Sequence, residues 1–157
     1  MAEHARILVV DDDESIRKTL VTILEERGYA VDTAKNGKEA IERTKTGFYN
    51  LLLIDIRLPD TEGTKLLTAL KETTPRMIKI IMTGYPSLQN AIEAVNKEAD
   101  AYMLKPLNMN EVLYIIREQL KRQKEAMKYS EEKVAEFIKT RVRELDAEKN
   151  MTITKTR

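Results

Sequence analysis

Leu51-Leu52-Leu53-Ile54-Asp55 is the stretch that decides the fold. Four consecutive apolar residues are too few for a helix and show no polar alternation. They read as a short strand buried on both faces. The run ends in an acid, and Pro59-Asp60 soon after it marks a turn. The same grammar recurs along the chain. Ile7-Leu8-Val9-Val10 runs into Asp11-Asp12-Asp13, Met77 to Met82 into Thr83, and Ala101-Tyr102-Met103-Leu104 into Lys105. Tyr29 to Thr33 supplies one more strand.

Helical spacing fills the intervals. Ile16, Leu20, Ile23 and Leu24 recur on one face until Gly28, a natural stop. Asn36-Gly37 opens a helix that carries Ala40 and Ile41 and closes at Gly47. A third helix is expected from Gly63 to Glu72, before Pro75, and Ser87 caps a fourth. Asn108 with Glu111 three residues later resembles a capping box for a fifth. Five strands alternating with five helices predict a doubly wound α/β domain, its parallel sheet covered on both faces. Ligands of such sheets bind outside the carboxyl ends of the strands.

Composition narrows the chemistry. The 157 residues are 42% apolar, enough for one core, and carry a net charge of +1. No run is long enough to span a membrane, and the N-terminus is not a signal peptide, so a cytoplasmic protein is expected. Without cysteine there are no disulfides, thiol nucleophiles or Cys-ligated zinc, and one histidine makes no His-rich metal site. From Lys121 to Arg157 there are 11 basic and 7 acidic residues. That mild excess fits a solvated helix face better than a nucleic-acid surface.

Four strands therefore end in polar groups: Asp11-Asp12, Asp55, Thr83 and Lys105. Neighbouring strands would bring these onto one rim. Two carboxylates about 4 Å apart repel by about 4 kcal/mol at an effective dielectric near 20, so cations must offset them. A lysine supplies one charge and a divalent ion two. All-oxygen ligands suit a hard ion such as Mg²⁺. Carboxylate nucleophile, cation, lysine and hydroxyl are the parts that position and neutralise a transferring phosphoryl group.

Ile7 to Glu14, Leu52 to Asp60 with Gly63, Met82-Thr83-Gly84-Tyr85, and Ala99 to Pro106 together resemble the receiver domains of two-component response regulators. The resemblance covers residues 5 to about 122. It implies a flavodoxin-like strand order 2-1-3-4-5. It implies that Asp55 takes the phosphoryl group from a sensor histidine kinase or phosphotransfer protein, in signalling rather than metabolic turnover. Asp12 would then bind Mg²⁺ directly, Asp11 largely through water, and the Arg57 backbone carbonyl would complete the ligands. Lys105 would pair with Asp55 at rest and with a phosphoryl oxygen afterwards. Thr83 would bond the phosphoryl group while Tyr102 turns inward as the switch partner. Pro106 would follow a cis bond. Arg57 and Tyr85 would gate the water that removes the phosphoryl group. Glu98 stands where many relatives carry a glycine at the end of the fourth helix.

Taken singly these residues have plainer readings, and Asp13 is expected to serve only as a helix cap. Two rivals differ in kind. Asp11 to Ser15 loosely fits the Asp-x-Asp-x-Thr signature of haloacid-dehalogenase-like phosphatases, with Asp11 as nucleophile and Asp13 as acid. A later Gly-Asp-Gly-x-x-Asp segment is missing. The other rival is a receiver-like scaffold that is never phosphorylated, against which the intact acid, threonine and lysine set argues. Residues 1–122 are read as the receiver domain and 123–157 as a charged helical extension, disordered after about Asn150. No helix-turn-helix-sized DNA-binding domain is expected there. The fifth helix should start near Met109, bury Val112, Leu113, Ile116 and Leu120, and run to about Lys149. Met127, Val134, Ile138, Val142 and Leu145 prolong the apolar spacing, so the helix and tail are expected to pair with a second copy.

Overall fold

The computed structural model describes residues 4–84 and 87–155. Strands β1 (Arg6–Val10), β2 (Ala30–Ala34), β3 (Leu51–Asp55), β4 (Ile78–Thr83) and β5 (Ala101–Leu104) form one parallel sheet. Their order is β2-β1-β3-β4-β5, as the resemblance implied. Helices α1 (Glu14–Glu26), α2 (Gly37–Thr46), α3 (Gly63–Ala69), α4 (Leu88–Asn96) and α5 (Met109–Lys155) alternate with them.

Alternate residues of the apolar strands feed two separate cores. Leu8, Val10, Leu52, Ile54 and Ile81 meet Ala40 of α2, Leu66 and Leu67 of α3, and Ala94 of α4. Ile7, Val9, Leu51, Leu53 and Met82 meet Leu20 and Leu24 of α1 and Val112 and Ile116 of α5. β3 is buried at every position, so truncating Leu53 to alanine should cost about 2–5 kcal/mol. Leu113 and Leu120 of α5 are only half buried, packed against the second core.

Local chemistry sets the helix ends. Asp13 caps α1, its carboxylate accepting from Ser15 N at 2.8 Å and Ile16 N at 3.2 Å. Gly28 follows with φ +89°, where glycine carries no side-chain penalty. Ser87 caps α4 through Asn90 N, and Asn108 accepts from the amides of Asn110 and Glu111. α3 ends at Ala69, short of the expected Glu72. Leu70 turns extended (φ −81°, ψ 139°) and joins the first core, and that burial outweighs another helical turn. The Lys105–Pro106 bond is cis, as expected, and so is Thr74–Pro75.

The chain divides after Gln123 into two units. In the second, Lys124 onward, the helix continues to Lys155, past the end expected near Lys149. There Val134, Phe137, Ile138, Val142 and Leu145 are all exposed. Among the described residues no helix is long and apolar enough to cross a membrane.

Candidate functional site

The carboxyl ends of β1, β3, β4 and β5 bring together the residues expected there. Asp11, just past β1, is fully buried. Its Oδ1 accepts from the Asp13 amide at 2.9 Å and its Oδ2 from Lys105 Nζ at 2.8 Å. Its carbonyl accepts from Arg17 Nη1 at 2.7 Å. Asp12 beside it is exposed. Asp55 closes β3 with 7% of its surface accessible, and the next amide, Ile56 N, pairs with Met82 O of β4 at 2.9 Å. Asp55 Oδ1 lies 3.4 Å from the Arg57 amide, and Oδ2 lies 3.4 Å from Lys105 Nζ.

Lys105 thus bridges two carboxylates, and its shorter bond is to Asp11 rather than to the expected Asp55. Burial alone would lower the lysine's pKa, but hydrogen bonding and charge from Asp11 and Asp55 hold it above its usual value. Asp55 moves the other way. Burial first and the Asp11 charge second push its carboxyl up to about 6, against Lys105 and the Arg57 amide, which lower it. A carboxylate stabilised so poorly is a reactive oxygen nucleophile and gains from any added positive charge.

Asp11, Asp12 and Asp55 each offer an oxygen within 4.8 Å of the others. Three carboxylates with no nitrogen or sulfur donor among them fit a hard divalent ion. Asp11 is engaged by Lys105 and the Asp13 amide, while Asp12 is open to solvent. Thr83 ends β4 fully buried, and its carbonyl accepts from the Lys105 amide at 2.7 Å. Tyr102 packs against the α2–α4 core, its hydroxyl buried and without a hydrogen-bond partner among the described residues. The ring is therefore turned inward. Tyr85 lies outside the described residues.

Sequence reasoning missed Arg17 and Asp60. Arg17 was readable as a cation one helical turn past Asp13, close enough to reach back to the β1 end. Asp60 reaches across to α2, a contact that carries no periodic signal. Asp13 faces the α1 amides, which leaves a phosphatase built on Asp11 without its acid.

Residues 7–117 match the family model of the response regulator receiver domain. The chain is similar to the transcriptional regulatory protein ZraR of Klebsiella oxytoca, 36% identical over 118 residues. That match takes in 75% of this chain but 27% of the regulator. A CheY-like receiver domain protein from Methanospirillum hungatei is 43% identical, with a TM-score of 0.76, over 79% of this chain and 99% of its own. The beryllofluoride-activated NtrC4 receiver domain, solved in solution as a dimer, is 36% identical with a TM-score of 0.70, over 75% and 98%.

Proposed function

The chain belongs to the response regulator receiver family of two-component systems, and we propose that it works in the cytoplasm by accepting a phosphoryl group on Asp55. The observation that carries this reading is one carboxylate, Asp55, buried at the rim within 3.4 Å of Lys105 and grouped with Asp11 and Asp12. An Asp55 oxygen attacks phosphorus in line, the bond to the donor nitrogen of a phosphohistidine breaks, and an acyl phosphate forms. The donor is a sensor histidine kinase or a phosphotransfer protein. Asp12, Asp55, Asp11 and the Arg57 carbonyl would hold Mg²⁺, which when bound would supply positive charge to the incoming phosphoryl oxygens. Lys105 neutralises one of these oxygens and Thr83 donates to another. Tyr102 fills the space beside Thr83's strand, so an inward ring and a bonded Thr83 belong to the same state. Arg57 and Tyr85 set how readily water reaches the acyl phosphate.

The output is proposed to be protein contact, including self-association through α5 and residues 123–157. The support is the exposed apolar series in the second unit and a relative solved as a dimer. Residues 1–122 are taken as the phosphoacceptor domain.

Acetyl phosphate with Mg²⁺ should add one phosphoryl mass to the intact chain. Asp55→Asn, or excess chelator, should abolish it. Undiminished labelling of Asp55→Asn overturns the assignment.

A further inference from the structure

The loop between β3 and α3 follows the phosphoacceptor and contains Arg57. Its two ends close on themselves. Arg57 and Glu62 form a bridge, and the Gly63 amide donates to Ile56 O at 2.7 Å. A Cβ at Gly63 would collide with the Asp55 carbonyl, so the loop leaves and rejoins the site without slack. Its tip is a tight turn, Leu58 N to Thr61 O at 3.0 Å.

That tip is tied to a different element. Asp60 Oδ1 accepts from the Gly37 amide at 2.8 Å and Oδ2 from the Lys38 amide at 2.9 Å, both in the first turn of α2. A carboxylate there also meets the positive end of the helix. α2 already has its own cap, since Asn36 accepts from Glu39 N at 2.8 Å. Asp60 thus takes two first-turn amides that the Asn36 cap does not serve. The closeness of the seat is independently visible at Gly37, where a Cβ would lie 2.5 Å from Thr61 Cγ2. Only glycine admits the loop tip this near.

We propose that Asp60 is a positioning residue, whose two-oxygen grip on α2 fixes the β3–α3 loop, and with it the backbone of Arg57, beside the cation site. The inference rests on the phosphoacceptor reading of Asp55. Groups that orient metal ligands from behind typically change metal affinity about 10–100-fold when removed.

The test is Mg²⁺ titration of the full, unphosphorylated chain, followed by amide chemical shifts and calorimetry. Asp60→Ala should weaken Mg²⁺ binding about 10-fold, and Asp60→Asn, which keeps one acceptor oxygen, should fall between it and wild type. Asn36→Ala removes the other α2 cap and should lower thermal stability while leaving Mg²⁺ affinity within about twofold. If Asp60→Ala binds Mg²⁺ like wild type, or Asn36→Ala weakens it equally, Asp60 is only a helix cap. Wild-type protein that binds no Mg²⁺ overturns the cation site itself, and with it this inference.

Discussion

At the amino ends of the strands, Gln123 of α5 donates to Asn50 O at 3.0 Å and Arg76 O at 2.8 Å, and accepts from Asn50 Nδ2 at 3.1 Å. Asn50 Oδ1 accepts from the Arg6 amide. Asp100 takes Arg76 on one oxygen at 2.6 Å and the Lys79 amide on the other at 2.8 Å. Four strand starts and a helix are stitched together by complementary donors and acceptors. At the carboxyl ends, two buried carboxylates share one lysine, and a tyrosine hydroxyl is buried without a partner among the described residues. The difference teaches where the domain keeps its stability and where it gives some up. The reactive rim is under electrostatic stress that added positive charge would relieve.

Breaking the comparison at its sharpest point means removing Thr83's hydroxyl. Moving a two-state equilibrium from 1:99 to 99:1 takes about 5.5 kcal/mol. A charge-assisted bond to Thr83 contributes about 1.5–3 kcal/mol of it. Thr83→Ala should therefore still be phosphorylated but lose roughly 10–60% of the beryllofluoride-induced chemical-shift change. Equal shifts in the variant and wild type would uncouple Thr83 from the switch.

At the opposite end, Gln123→Ala should destabilise the domain by about 2 kcal/mol, because three bonds go and two carbonyls are left to water. Urea denaturation measures this, and phosphorylation of the variant by acetyl phosphate should be unchanged. A variant as stable as wild type would mean that the amino-end network contributes nothing.

The reactive rim should answer with the opposite sign. Asp55 has a folded pKa raised above its unfolded value, so the native state holds more protons between about pH 4 and pH 6. Stability is lost as pH rises through that window. Asp55→Asn, measured with chelator present, should be about 1–2 kcal/mol more stable than wild type at pH 7. The gap should close below about pH 4. A constant gap at all pH values would mean that the carboxylate's charge is not its cause.

A smaller effect tests a flaw in the otherwise well-satisfied end. Glu98, whose carbonyl accepts from Arg76, closes α4 with φ +64°, a conformation that costs a side chain. Glu98→Gly should raise stability by about 0.5–1 kcal/mol in thermal melts. An unchanged or lower midpoint would show that the backbone there is not strained.

The chemistry of the carboxyl end was legible because a buried parallel strand announces itself, and the residue after it must lie at the rim. Asp11, Asp55, Thr83 and Lys105 were found that way. The helix caps Asp13, Ser87 and Asn108 were readable because capping is local. Gln123 and Asp60 act across tertiary distances with side chains ordinary for helix surfaces and turns, so no spacing reveals them, whereas Arg17 reaches back only six residues and was within reach of a local reading. The early end of α3 and the preference of Lys105 for Asp11 were hidden for a related reason. Both depend on how deeply a neighbour is buried, which packing decides.

The strand order has a consequence for how the domain comes into being. β1 is made first, yet it lies inside the sheet between β2 and β3, while the four-residue β5 at the edge is made last. Among the strands, the first one made is therefore an interior one that must wait for both neighbours, and the last is a border, which α5 then covers. Removing β5 alone would take away an edge. Shortening the domain by its first ten residues removes the seam, together with Val9 and Val10, which supply one residue to each core.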